Sequence, residues 1–334
     1  MKTISKKYLT LFMLIALVLF NACKKEDDSP NSNNNSNNNS NNTTANIVLD
    51  FFKGNLDDAK QIHTVDVTST VWVYGDLGTY IQISPCSFLD ADGNEVTGEI
   101  EFELIEAQTK LDMLKLNRPT FTNDGQLLVS GGILYVNATQ DGEDLIINPD
   151  CGLQVNNMRN TTNNGFNGSM QYFSGNVDGD GVFGWDLEEE DTLTVQTWQD
   201  DGWTGFGFGF EIDSIGWINC DYFYSTGDSL TEVQVELPNG YNGNNTQVFI
   251  SYSSINSLAG LYDTNQDGVF DLGAGYETPV GMSVQFIAIS GDSVNGYHHH
   301  ITSNTTVTMS HYETIPNMSG PITHSALEAI LNTL

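Results

Sequence analysis

Residues 263–271, Asp-Thr-Asn-Gln-Asp-Gly-Val-Phe-Asp, set oxygen-bearing side chains at positions one, three, five and nine of a short loop, with glycine sixth. A hard cation such as calcium takes about six to eight oxygens, and a glycine lets the backbone turn around it. A bidentate carboxylate belongs at the twelfth position, where this chain has Ala274; Glu277 comes three residues later. Calcium held by Asp263, Asn265, Asp267, Asp271 and Glu277 is one reading. An Asx-rich turn that caps its own backbone is the other. Asn176, Asp178 and Asp180, then Gly181, repeat the first half of the pattern with Gly184 in ninth place, a poorer ligand set. Asp90-Ala91-Asp92-Gly93-Asn94 reads as a turn.

The chain also carries Tyr297-His298-His299-His300-Ile301. In a strand, His298 and His300 share one face and His299 takes the other. Brought beside His311 or His324, such a pair suits zinc. No H-E-x-x-H or general-base glutamate accompanies it, so surface or half-buried histidines without a metal are expected. G-x-S-x-G does not occur, which removes one serine-hydrolase signature. Trp185, Trp198, Trp203 and Trp217, with the alternating Phe206, Phe208 and Phe210, crowd one acidic, glycine-rich stretch. Exposed indoles beside acids make a sugar platform, because ring faces stack and carboxylates accept hydroxyl hydrogens. Turned inward, the same rings are a sandwich core.

Composition narrows the partners. The 334 residues carry 11 Lys and Arg against 43 Asp and Glu, a net charge of −32. So few cations cannot assemble a basic patch, so nucleic acid is excluded as a partner. Cations and neutral ligands are favoured instead. Four cysteines include Cys86, Cys151 and Cys220 in the body of the chain, none at zinc spacing. Outside the cytoplasm these allow one disulfide and a remainder, and spacing does not choose the pair.

The other concentrated signal is at the start. Lys2, Lys6 and Lys7 precede an apolar run at 9–20, broken only by Thr10. That run is far short of the roughly 20 residues a bilayer requires, and it has the layout of a secretory signal. Its boundary, Leu19-Phe20-Asn21-Ala22-Cys23, resembles a bacterial lipobox. The resemblance implies cleavage after residue 22 and acylation of Cys23, which anchors the chain firmly in a membrane. Lys24-Lys25-Glu26-Asp27-Asp28 resembles the acidic signal of surface-exposed Bacteroidota lipoproteins and implies an outer-membrane, cell-surface location. Residues 31–42 are nine asparagines and three serines. With nothing to bury, 23–46 is expected to be a disordered tether.

The body reads as short strands joined by Gly, Asn and Asp turns. Residues 71–74 and 79–84 flank Gly75-Asp76-Leu77-Gly78 as a hairpin. Along 99–107, Ile100, Phe102 and Leu104 alternate with Glu101 and Glu103, as in a strand with one wet face. Residues 109–117 have a weak helical period, and a terminal helix is expected behind Thr323 with Leu327, Ile330, Leu331 and Leu334 on one side. The fold class is all-β: tandem or fused β-sandwich modules with a short C-terminal helix. The Asn-rich stretch near 155–168 suggests a boundary between a 47–158 domain and a 165–334 domain.

Residues 81–147, including Ser84-Pro85, the F-x-D-x-x-G-x-x-V-x-G run from Phe88 and the pair Gly131-Gly132, resemble a recurring β-rich region of Bacteroidota lipoproteins. Gly216-Trp217-Ile218-Asn219-Cys220-Asp221 resembles an element found downstream in the same group. The resemblance implies a surface or periplasmic lipoprotein of β-sandwich build, and it carries over no catalytic residue. Together these signals favour an anchored, non-catalytic binding or scaffolding domain with a glycan or protein ligand. The alternatives are a secreted polysaccharide or peptide hydrolase and a purely structural envelope protein.

Overall fold

The computed structural model describes residues 47–159, 170–177, 182–188, 194–200, 203–225, 227–292 and 294–334. The signal segment 1–22, Cys23 and the tether therefore lie outside the described residues, as do Asp178 and Asp180. Four main sheets carry the all-β fold. A central antiparallel sheet runs, in spatial order, Gln61–Asp66, Glu99–Ala107, Leu128–Gln140, Gly216–Phe223, Gln171–Val177 and Phe183–Leu187. An outer antiparallel sheet runs Thr194–Asp200, Trp203–Ile212, Leu153–Arg159, Thr79–Ile83 and Val71–Tyr74. The second sandwich pairs a sheet of Leu258–Leu261, Thr246–Tyr252, Ser283–Asp292, Gly296–Ile301 and Ser319–Ile322 with a smaller one of Val269–Asp271, Val233–Glu236 and His311–Thr314.

Three cores separate these layers. Between the outer and central sheets lie Val73, Ile81, Val155, Phe102, Leu104 and Val136, among others. The middle core joins Ile105, Ile133, Trp185 and Trp217 of the central sheet to Phe249, Ile287 and Ile289 of the second sandwich. The third, with Val235, Ile250, Phe270 and Phe286, fills the second sandwich. The middle strands of the central sheet are thus covered on both faces, while its Gln61–Asp66 edge leaves Ile62, Thr64 and Glu101 exposed. Glu99–Ala107 follows the predicted alternation as far as Leu104 and then buries Ile105, Glu106 and Ala107 together.

Helices close the middle layer. Helix α1, Ile47–Asp58, was not signalled by sequence: Ile47, Val48 and Gly54 are weak helix formers. It forms because Val48, Phe51 and Phe52 are buried against the second sandwich, about 1.5–3 kcal/mol for each side chain. Helix α2, Lys110–Lys115, carries a capping box in which Thr109 and Asp112 satisfy each other's backbone N–H. Helix α3, His324–Leu331, starts at the expected Thr323 cap and buries Leu327 and Leu331.

The expected boundary near 155–168 is corrected by the strand pairing. Leu153–Arg159 pairs with Trp203–Ile212, and Leu128–Gln140 pairs with Gly216–Phe223, so a cut at 158–165 would run through both sheets. The Asn-rich stretch joins two strands of the same sandwich rather than two domains. The first sandwich ends at Phe223, and residues 42–334 form one compact unit. Hydrogen bonds seam the two sandwiches: Thr120 N–H donates to Leu258 O at 2.7 Å, Ser130 N–H to Asn256 O at 2.9 Å, and Asn256 Nδ2 to Gln108 O at 3.0 Å.

Buried polar groups are held individually. Glu106 accepts from Leu77 N at 2.8 Å, Thr79 N at 2.9 Å and Gln61 Nε2 at 3.0 Å, pinning the 71–83 hairpin to the central sheet. Gly75 makes this approach feasible, since a Cβ there would lie 2.3 Å from Glu106 Oε2. Cys86 and Cys151 form the disulfide, bridging 65 residues of chain, while Cys220 is buried in the first core. Closing a loop of that length restricts the unfolded chain. Replacing both cysteines, Cys86→Ser with Cys151→Ser, should lower unfolding free energy in urea by about 2–4 kcal/mol. An unchanged midpoint and slope would show that this link contributes nothing.

Candidate functional site

The tryptophans singled out by sequence divide. Trp185 is fully buried; its Nε1 donates to Pro119 O at 2.7 Å and its ring meets Phe183 edge-on at 4.9 Å. Trp217 is also buried, packed on Tyr135 at 5.1 Å and under the Arg118 guanidinium at 4.3 Å. Both belong to the middle core, which corrects their assignment to a ligand platform: the packing beneath the second sandwich takes these rings out of water. The side chains of Trp198 and Trp203 lie outside the described residues.

Loop 263–271 is a self-capped turn. Asp263 is buried; its carboxylate accepts from Asp267 N at 3.1 Å, Gly268 N at 2.9 Å and Gly243 N at 3.1 Å. Gly268 adopts φ 86°, the left-handed conformation for which the pattern reserves glycine. Asp267 caps Val269 N and Asp271 caps Gly273 N. Asn265 and Glu277 are exposed. Asn176 is bonded to Asp186 on the paired strand Phe183–Leu187 and to Asn123 in the 122–126 turn. Among the described residues no group of three or more His, Cys, Asp or Glu is placed to hold a metal ion.

The histidines are dispersed. His299 lies opposite Ile289 on the side of the middle core, and burial, then His300 and His298, hold its pKa below the ordinary histidine value. His311 stacks on Phe286 at 5.6 Å, and His324 lies 5.0 Å from Phe51. His298 instead faces Tyr241, with Nδ1 3.3 Å from the phenol oxygen. These two line a cleft of about 360 Å³ with Asn239, Asn245, Asp292 and Pro321.

An exposed aromatic surface that sequence reasoning missed lies on the outer sheet. In the 71–83 hairpin Val73, Ile81 and Ile83 are buried, so period-two alternation turns Trp72, Tyr74, Tyr80 and Gln82 outward. Trp72 is 44% and Tyr74 66% exposed. Tyr80 stacks on Tyr74 with ring centroids 6.3 Å apart and lies 5.7 Å from Trp72. Burial, then the neighbouring Tyr74 phenol, raises the Tyr80 pKa, which keeps its hydroxyl a donor. Register extends this face sideways: Tyr80 lies opposite Asn156, and Gln82 opposite Gln154, which lies opposite Glu211. Gln154 Nε2 donates to Glu211 Oε2. Gly205, Gly207 and Gly209 occupy the matching register positions of Trp203–Ile212, and Gly209 is buried. The signal was present in the sequence: hydrophobic Val71, Val73, Ile81 and Ile83 fix the inward phase, leaving every aromatic of the hairpin outward.

The result is a flat strip of rings beside amides and one carboxylate, with no cation among the named side chains. Such a surface stacks against apolar faces while exchanging hydrogen bonds with hydroxyl or amide edges. Among the described residues no helix is long and apolar enough to cross a membrane.

A scan against protein-family models finds no match, and no curated protein matches the sequence. One solved structure that does match is a gamma-CGTase from alkalophilic Bacillus clarkii, at 9% identity over 75% of this chain, with a TM-score of 0.17. This chain spans 40% of that structure, and at so low a TM-score the likeness carries no argument about fold or function.

Proposed function

We propose that the protein is a lipid-anchored, outer-membrane and cell-surface lipoprotein whose folded part is a non-catalytic binding domain, with a glycan as ligand of the aromatic outer face. The exposed Trp72 and Tyr74 with the half-buried Tyr80, beside Gln82, Gln154 and Asn156, carry this reading. Rings of this kind match the C–H faces of sugar rings, and the adjacent amides supply both donors and acceptors for hydroxyls. A chain of net charge −32 repels acidic polymers, which favours a neutral glycan. The openness of the sheet suits an extended chain rather than a closed small molecule.

Affinity electrophoresis of the chain from residue 24 onward through gels containing neutral polysaccharides should show retardation by at least one. Trp72→Ala with Tyr74→Ala should weaken that binding by about tenfold or more, as expected for exposed aromatic anchors, while melting stays unchanged. Migration identical in every gel, or retardation that survives the double substitution, would remove the assignment.

The anchor rests on Cys23 at the end of a run too short to span a bilayer. Cys23→Ala is expected to abolish labelling by a fatty-acid analogue and to move the protein out of the membrane fraction. Equal labelling of the variant would contradict acylation there.

Calcium at Asp263, Asn265, Asp267 and Asp271 belongs to the same reading, supported by their spacing and by Gly268. Because Asp263 already holds the turn through backbone amides, an ion would reinforce it and is not required for folding. Ala274 and the exposed Glu277 leave the last ligand position weak, so affinity should be about 0.1–1 mM. Melting temperature is expected to rise with calcium by the equivalent of about 1–3 kcal/mol at saturation. Asp267→Ala should remove the gain without lowering the calcium-free value. A wild-type curve flat to ~10 mM calcium would return the loop to an ordinary turn.

A further inference from the structure

The cleft on the second sandwich is a separate construction from the aromatic face. It forms where the turn 239–245 meets Ser290 to Asp292, the start of Gly296–Ile301 and Pro321. Its volume of about 360 Å³ is at the small end of the ligand-site range of roughly 300–1,000 Å³. Its walls are fixed before any ligand arrives. Asn245 Nδ2 donates to Gly240 O at 2.9 Å, Asn245 Oδ1 accepts from Asn242 N at 3.1 Å, and its carbonyl accepts from Gly291 N at 3.1 Å and from Ser290 Oγ at 2.8 Å. His298 is held between the Tyr241 hydroxyl and Gly320, where a Cβ would come within 2.9 Å of His298 Nδ1. Groups already held in place lose little freedom on binding, which favours recognition.

The lining chooses among ligand classes. No Lys or Arg lines the cleft, and the Asp292 carboxylate is on its wall, so an anion meets a negative charge with only the His298 imidazole to set against it. A bare cation finds a single carboxylate, whose Oδ1 accepts from Val294 N, Asn295 N and Asn295 Nδ2 at 2.7–3.1 Å and whose Oδ2 accepts from Asn295 Nδ2 at 2.8 Å. An apolar ligand would shut water away from the exposed Asn239 amide and from the Asp292 carboxylate without replacing it, at a desolvation cost. What remains is a small neutral molecule with several hydroxyls and one apolar side, the side that the Tyr241 ring and Pro321 would cover. We infer that this cleft is a second binding site, independent of the aromatic face, for a neutral polyhydroxylated ligand of monosaccharide size.

The test is saturation-transfer NMR on the chain from residue 24 onward with free glucose, galactose, mannose and N-acetylglucosamine, each at millimolar concentration, and with sulfate as competitor. Affinities on the order of millimolar are expected for a ligand of about a dozen heavy atoms. At least one sugar should show transfer. Asn239→Trp, which fills the cleft from an exposed turn, and His298→Ala should each reduce it by about tenfold. Trp72→Ala with Tyr74→Ala should leave it intact, which separates this site from the outer-sheet reading. If His298→Ala fails to fold, Asn239→Trp decides alone, its melting curve serving as the check. Absence of transfer for all four sugars, transfer that survives Asn239→Trp, transfer lost only in the Trp72 and Tyr74 variant, or displacement by sulfate would each overturn the inference.

Discussion

The middle strands of the central sheet are covered on both faces, and the rest of the structure answers to that constraint. Antiparallel sheets commonly keep one face wet. Here Leu134, Val136 and Ala138 of Leu128–Gln140 enter the first core while Ile133 and Tyr135 of the same strand enter the middle one. A strand in that position has no outlet for polar side chains and must be apolar on both sides. It also requires two covers, and the chain supplies the outer sheet on one side and α1, α2, α3 and the second sandwich on the other. This is why residues on either side of the Asn-rich stretch cannot separate.

The same constraint explains the few polar groups inside. Glu106 stands where the alternation of Ile100, Phe102 and Leu104 places a core side chain, and it is retained because three donors converge on it. At the bulge between Asn219 and Asp221, Ser130 Oγ donates to Asn219 Oδ1 at 3.0 Å and Asn219 Nδ2 to Asp221 Oδ2 at 2.6 Å. These residues adjoin Asn256 and Ser257, which bond to the backbone of the first sandwich. Polar side chains are thus concentrated where strands kink or sandwiches join, and there they fix register.

Because the middle strands of the central sheet are buried, surface for recognition is left to the layers outside it. The outer sheet offers a broad, flat face whose rings are oriented by strand pairing alone. The second sandwich offers a cleft whose walls are turns tied together by asparagine side chains. The two differ in the ligand they admit for a geometric reason: pleated strands produce rows, and converging loops produce enclosures. The ligands proposed for both are neutral and hydroxyl-bearing, in keeping with a strongly acidic chain.

Much was legible without coordinates. Two-residue periodicity and turn chemistry determined the all-β class, the 71–83 hairpin and the inward phase of 99–104, because these depend on neighbours in sequence. The Thr323 cap marked the start of the terminal helix for the same reason. Tertiary structure decided what lies on the far side of each strand. Trp185 and Trp217 resemble binding residues in the sequence and are core residues in the fold, since only the packing of the second sandwich removes that face from water. Trp72 and Tyr74, which no motif marks, are exposed because the outer sheet is the last layer. Helix α1 exists only because a core awaits Phe51 and Phe52. The pairing of Cys86 with Cys151, the position of the true joint after Phe223 and the meeting of Tyr241 with His298 all depend on contacts between residues far apart in the chain, which local pattern does not encode.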